Sequence, residues 1–160
     1  MDARTVAVVS RPGLSYFDVA PFEGPNPVRE AVESLFVAMG LDRGRAGTPE
    51  WNPLGELIRP GDRVIIKPNL VSSKNLHEKI DGKKLWASST HGSLLMPVLE
   101  YALRATGPTG QVRVVDSPVE GCEIDKVAGP LGIFAAIRHL EGKGYPVAFV
   151  DLRTFAMQPW

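Results

Sequence analysis

Four polar residues that could do chemistry stand directly against apolar stretches of this sequence. They are a cation, an amide, an imidazole and a carboxylate: Lys67, Asn69, His91 and Asp116. A cation and an amide suit the binding of a small anion, and an imidazole can exchange a proton near neutral pH. We therefore predict Lys67 and Asn69 as ligand-binding residues and His91 and Asp116 as catalytic residues. Asp116 would fix the His91 tautomer if the two side chains meet.

Gly92 and Ser93 follow His91 and open a series of apolar residues at helical spacing, in which Pro97 is tolerable only in the first turn. Ser93 is a suitable N-cap, which would place His91 and Gly92 just before the helix. Free N–H groups and the helix dipole make such a terminus a ready anion site, so Gly92 and Ser93 are also predicted to bind the ligand. The alternative is that these residues are structural. His91 would then only form hydrogen bonds at the start of the helix, and Lys67 would only be a solvated residue at the end of a strand.

Short apolar runs alternate with helical patterns along the chain. The runs predict strands at Thr5–Ser10, Val64–Lys67, Gln111–Val115 and Val147–Val150. This order indicates an α/β fold with a mainly parallel sheet and helices on both faces, in a Rossmann-like arrangement. A right-handed crossover brings the carboxyl ends of neighbouring parallel strands to one edge, where ligands sit in such folds. The four polar residues are therefore expected to share one cleft at that edge.

Helices are predicted from Asn26 as N-cap to Gly40, over Pro53–Ile58, and after Asp125, where Gly129-Pro130 should delay the helix. Two segments, 13–27 and 72–89, lack any periodicity. Segments of that length in a compact domain often have a function, and the second lies beside a predicted strand end. It is either a solvated loop or a lid over the cleft.

The length and composition indicate one domain with a net charge of zero. The 160 residues are most simply a single α/β domain over 1–160, with eighteen basic and eighteen acidic side chains. The balance gives no general affinity for nucleic acid or acidic membranes. No stretch is long enough to span a membrane and no signal peptide is apparent, so a cytoplasmic protein is expected.

Several familiar kinds of site are absent from the sequence. The one cysteine, Cys122, excludes an internal disulfide and a four-cysteine metal or iron–sulfur site made by this chain alone. There is no dinucleotide fingerprint, phosphate-binding loop or nucleophile elbow. No metal site is predicted and no cofactor can be assigned. A metal held by His91 and Asp116 ranks lowest among the alternatives, because no further ligand is evident.

Three segments in tandem resemble the domain-of-unknown-function 362 family: NPLGELIRPGDRVIIKPNLV, THGSLLMPVLEYAL and VRVVDSPVEGCEIDK. The flanking GTPEWNPLGELI and YPVAFVDLR resemble a subgroup found beside bacterial surface-polysaccharide genes. The resemblance covers nearly the whole chain and implies an α/β domain without a settled activity. It places the family's recurring polar positions on Lys67, Asn69, His91 and Asp116. The family core is also distantly similar to nickel-dependent lactate racemases.

Two departures from the family pattern bear on the function. Some relatives carry a cysteine-rich, ferredoxin-like segment, which one cysteine cannot form. Relatives also continue well past the equivalent of Asp151, which implies that this chain is an N-terminal portion of a longer protein. A missing C-terminal region would leave an apolar patch around the last strand and Trp160, and the chain would then self-associate or be poorly soluble. A homo-oligomer is the alternative to a missing region.

Two hypotheses of function remain open from the sequence. The first is a small-molecule enzyme that acts on an anionic metabolite, such as a carboxylate or a phosphorylated sugar in surface-polysaccharide biosynthesis. The second is a non-catalytic ligand-binding or partner protein of the same pathway.

Overall fold

The computed structural model describes residues 6–14, 26–73 and 89–156, which form three strands and five α-helices. In chain order these are α1 (Pro27–Ala38), β1 (Arg63–Ile66), α2 (Gly92–Thr106), β2 (Gln111–Asp116), α3 (Ile124–Ala128), α4 (Ile133–Gly142), β3 (Val147–Asp151) and α5 (Arg153–Ala156). A single 3₁₀ turn, Arg43–Arg45, lies between α1 and β1. No helix in these described ranges has the length and apolar character needed to cross a membrane.

The three strands form one parallel sheet in the order β1-β2-β3. Val64 lies opposite Val112, and Val112 lies opposite Val147, so apolar residues are in register across the sheet. Asp116 lies opposite Asp151 at the carboxyl edge. The predicted α/β class is confirmed, as is the prediction that the strands after Gly61 and Gly110 are parallel neighbours.

The helices that contact the sheet cover one of its faces. α2 contacts β1 and β2, and α4 contacts β3. Both helices share a core with the alternate strand residues that point to that face: Val64, Ile66, Val112, Val114, Val147 and Phe149. On the opposite face, Ile65 of β1 is 70% exposed. The prediction of helices on both faces is therefore met on one face only within the described residues.

A second, smaller core holds α1 against the outer side of α2. Asn26 caps α1 as predicted, because its side chain accepts hydrogen bonds from the N–H groups of Val28 and Arg29. The buried apolar residues of this core are Val32, Phe36, Leu41, Trp51 and Tyr101. α1 therefore packs on α2 rather than on the sheet.

Four local predictions differ from the structure. Residues 6–10 form no strand, and Val6 and Val8 are 85% and 81% exposed. Residues 53–58 form turns rather than a helix. Glu123, and not Asp125, is the N-cap of α3, which stops before Gly129-Pro130 so that α4 begins at Ile133. Pro97 lies inside α2, beyond its first turn.

Candidate functional site

Asp116, the last residue of β2, is the buried centre of the carboxyl edge. Its side chain is 2% exposed. Oδ1 accepts a hydrogen bond from the Ser117 N–H at 2.8 Å and pairs with Lys67 Nζ at 2.8 Å. Oδ2 accepts from the Leu70 N–H at 2.8 Å. The carboxylate therefore joins the end of β2 to the segment 67–70 that follows β1, as the parallel register predicts.

Lys67 presents its charge at the surface of this edge. Its side chain is 61% exposed, although its ammonium group pairs with the buried Asp116 carboxylate. Nζ also donates a hydrogen bond to the Pro68 carbonyl oxygen at 3.1 Å. An ammonium has three donors and these contacts use two, so the group is oriented while it remains accessible. The buried Asp116 carboxylate thus holds the exposed Lys67 ammonium group in place.

Asn69 lies beside the chain that leads into α2. Its N–H donates to Thr90 Oγ1 at 2.9 Å, and the Thr90 N–H donates back to the Asn69 carbonyl oxygen at 2.8 Å. This reciprocal pair ties the segment after β1 to the residue before His91. Thr90 was not predicted as a site residue. The signal that could have found it is its place directly before His91, in the stretch that carries the family resemblance.

His91 is the N-cap of α2, where Ser93 was predicted. Its Nδ1 accepts a hydrogen bond from the Ser93 N–H at 3.2 Å and lies 2.7 Å from Ser93 Oγ. Burial lowers the pKa of His91 below its usual value, because a protonated ring would lose hydration there. The ring is therefore neutral near pH 7, with its proton on Nε2. Among the described contacts, Ser93 rather than Asp116 orients it.

Gly92 and Ser93 hold the start of α2 against the connection between α3 and α4. The Gly92 N–H donates to the Leu131 carbonyl oxygen at 2.7 Å, and Ser93 is fully buried. A Cβ atom on Gly92 would lie 2.6 Å from the Gly132 carbonyl carbon and oxygen. Both N–H groups already donate within the protein, so an anion at this helix end would have to replace those acceptors. The predicted ligand-binding role of Gly92 and Ser93 stays a prediction.

Asp151 and Arg153 add a second ion pair at the same edge. Arg153 Nε donates to Asp151 Oδ1 at 2.9 Å, and Nη2 pairs with Oδ2 at 2.5 Å. These hydrogen bonds lower the pKa of Asp151. Arg153 Nη1 also donates to the Cys122 carbonyl oxygen at 2.8 Å, and the Leu152 N–H donates to the Asp116 carbonyl oxygen. Neither residue was predicted as a site residue, although both closely follow the predicted strand Val147–Val150.

The described residues contain no group of three or more histidine, cysteine, aspartate or glutamate side chains that could hold a metal ion. Cys122 is a free, buried thiol. The predicted lid covers 72–89, and most of it, residues 74–88, lies outside the described ranges, as does Trp160. The oxygens of Asp116 are engaged by Lys67 and two backbone N–H groups, which leaves the metal alternative without support here.

Comparisons with family models, with curated proteins and with solved structures find no match to this chain. The resemblance to the domain-of-unknown-function 362 family stays a prediction.

Proposed function

We propose that this chain binds a small anionic metabolite at the carboxyl edge of its sheet, with Lys67 as the charge partner. The observation that carries the proposal is the pair formed by Lys67 and Asp116. The lysine is 61% exposed and the aspartate 2% exposed, so an approaching ligand meets the cation first. The carboxylate beneath it restricts the ammonium to one position, which lowers the entropy lost on binding.

The position of the pair in the fold supports the same proposal. It lies at the carboxyl ends of two parallel strands, where ligands bind in α/β sheets. Arg153 provides a second cation at the end of β3, and its side chain is 29% exposed against 17% for its partner Asp151. We infer a Rossmann-like arrangement in which both strand ends face one ligand, and in which Asn69 helps to orient it.

An enzymatic reaction at this edge would depend on His91. Its ring directly follows the Thr90–Asn69 pair, and Nδ1, the acceptor nitrogen of the neutral imidazole, would accept a proton once it releases the Ser93 N–H. We therefore keep proton transfer by His91 to or from an anionic metabolite as the leading enzymatic proposal. Asp116 would then act by holding Lys67, since its oxygens already accept from Lys67, Leu70 and Ser117.

A non-catalytic binding domain is the second candidate, and one observation favours it. His91 Nδ1 accepts from Ser93 and caps α2, which gives the imidazole a structural role without any reaction. The two candidates differ in one result: an enzyme changes its bound metabolite, and a binding domain releases it unchanged. Mass spectrometry of a sugar phosphate incubated with the protein separates them.

The family resemblance supports a place in surface-polysaccharide biosynthesis, in the cytoplasm. A phosphorylated sugar suits both that pathway and an exposed lysine at a strand end. We therefore propose sugar phosphates as the ligand class to test first.

Lys67→Met is expected to weaken the binding of glucose 1-phosphate at least tenfold. A charge-assisted hydrogen bond is worth roughly 1.5–3 kcal/mol, and 1.4 kcal/mol is tenfold in affinity. Methionine retains most of the stem, so the melting temperature should fall by only a few degrees. Isothermal titration calorimetry and thermal melting measure the two effects.

Lys126→Met is the matched control for Lys67→Met. Lys126 is 66% exposed and pairs with Glu123 at 2.6 Å, but it lies on α3 rather than at a strand end. Its replacement should leave the affinity unchanged. Equal losses of affinity in the two variants, or a large loss of stability with unchanged affinity in Lys67→Met, would show that Lys67 is a structural residue.

His91→Asn is expected to flatten the dependence of stability on pH. Burial lowers the folded-state pKa of His91, so the unfolded chain binds more protons and stability falls as the pH drops through about 6.5. Asparagine cannot titrate but caps helices well, so stability at pH 7.5 should be retained. Urea unfolding at pH 7.5 and 5.5 measures the difference, with His139→Asn on α4 as the control. An unchanged pH dependence would contradict the burial of a neutral His91.

A further inference from the structure

A groove lies between the ends of α2 and α4, at the opposite end of the sheet from Asp116. It consists of two adjoining cavities of about 370 and 470 Å³, a size typical of small-molecule sites. The residues that line both cavities are Leu103, Arg104, Lys143 and Tyr145. We call this the α2–α4 groove. The chain enters β3 directly after it, through Pro146.

The groove has an apolar base and a partly exposed aromatic wall. Leu103 and Leu140 are 3% and 1% exposed beneath the first cavity. Tyr145 is 46% exposed, and Pro108 and Pro146 line the second cavity with it. Prolines and an exposed tyrosine provide flat apolar surfaces against which an aromatic ring can stack.

Arg104 is held rigidly in the groove without a carboxylate partner. Its Nη1 donates to the Trp51 carbonyl oxygen at 2.6 Å and to the Pro49 carbonyl oxygen at 3.3 Å. Its guanidinium carbon lies 5.5 Å from the centre of the Tyr101 ring. Neutral carbonyls and a ring fix the position of the guanidinium but do not cancel its charge. In the described part of the chain, none of the ion pairs includes Arg104 or Lys143.

Glu100, the acidic residue that lines the first cavity, is already paired. Arg29 pairs with Glu33 at 3.3 Å and also with Glu100. The Tyr101 hydroxyl donates to Glu33 at 3.0 Å, and burial together with this carboxylate raises the pKa of Tyr101 to about 12. Among the described residues, none that lines the second cavity is acidic. An anion beside Arg104 and Lys143 would therefore share the first cavity with Glu100, whose charge is offset by Arg29.

We propose that the α2–α4 groove is a second binding site, for a small organic anion that carries an aromatic ring. Arg104 and Lys143 would bind the anionic group, and Tyr145 with the neighbouring prolines would pack against the ring. The fixed guanidinium favours a phosphate or a carboxylate, which it binds in a planar, bidentate manner. This site is independent of the one at Lys67.

Phenyl phosphate is the probe for this proposal, with inorganic phosphate and phenol as the anionic and aromatic halves alone. Calorimetry should show binding of phenyl phosphate to the intact chain, and binding of each half at least tenfold weaker. Lys143→Met and Tyr145→Leu should each weaken the binding of phenyl phosphate at least fivefold. Lys126→Met, which removes an exposed lysine on α3 outside the groove, should leave it unchanged. Arg104→Met should have the largest effect.

Two results would overturn the proposal. One is phenyl phosphate affinity that is unchanged in both Lys143→Met and Tyr145→Leu. These variants replace exposed side chains, so a loss of folding would not obscure the result as it could for Arg104→Met. The other is affinity lost in Lys67→Met alone, which would assign the anion to the carboxyl edge and leave the function proposed for Lys67 intact.

Discussion

Replacing Asp116 with asparagine is expected to lower the free energy of unfolding by roughly 3 kcal/mol. The carboxylate is buried and accepts from Leu70 N–H, Ser117 N–H and Lys67 Nζ. An asparagine has only one side-chain oxygen. Its amide nitrogen, itself a donor, would stand where one Asp116 oxygen now accepts a hydrogen bond from a buried N–H group. The segment after β1 would lose its attachment to β2, and binding at Lys67 would fall with it.

Urea unfolding followed by circular dichroism measures the loss, and Asp125→Asn is the matched control. Asp125 is exposed in the first turn of α3, so its replacement should change stability by less than about 0.5 kcal/mol. A stable Asp116→Asn variant that retains ligand affinity would show that the carboxylate does not organise this edge.

Gly92→Ala is expected to destabilise the fold by about 3 kcal/mol through overpacking. The new Cβ would lie 2.6 Å from the Gly132 carbonyl group and 2.8 Å from the Leu131 carbonyl oxygen. Both neighbours are backbone atoms, which cannot move aside as a flexible side chain can. The start of α2 would be pushed from the α3–α4 connection, and the hydrogen bond from Gly92 to Leu131 would lengthen.

Gly142→Ala tests whether this cost is specific to position 92. Gly142 is the last residue of α4, and a Cβ atom there would meet nothing within 4 Å. Alanine should be neutral or stabilise the helix by up to about 1 kcal/mol. If thermal melting shows equal effects for the two variants, the close approach at Gly92 is not as tight as the structure indicates.

The three strands of the sheet were predictable because they depend on local patterns, whereas Asp116 was predicted beside His91 and pairs with Lys67 instead. The apolar runs at 64–66, 112–115 and 147–150 form strands, and their parallel order brings the carboxyl ends together. Asp116 and Lys67 meet for that reason. The run predicted as a strand at Thr5–Ser10 has the same pattern, but its described part, residues 6–10, forms no strand, since a pattern does not identify a partner.

Other features depend on tertiary contacts that no local pattern encodes. Ser93 is by type a better N-cap than His91, yet the structure places His91 at the cap and buries Ser93 within the first turn. Ile65 is exposed because α2 and α4 both pack on the other face of the sheet, and the local pattern does not say which face they cover. Arg104 gains its anchors from Pro49 and Trp51, more than fifty residues earlier in the chain. These distances in sequence explain why the groove was not predicted.

The central claim is that a small anion binds at the carboxyl edge beside Lys67. Two-dimensional ¹H–¹⁵N NMR spectra of the chain, recorded with increasing glucose 1-phosphate, test it most directly. We expect saturable shifts of the backbone amide signals of Lys67, Asn69, Leu70 and His91, and their loss in Lys67→Met. Spectra that do not change, or that change only at Arg104, Lys143 and Tyr145, would contradict the claim.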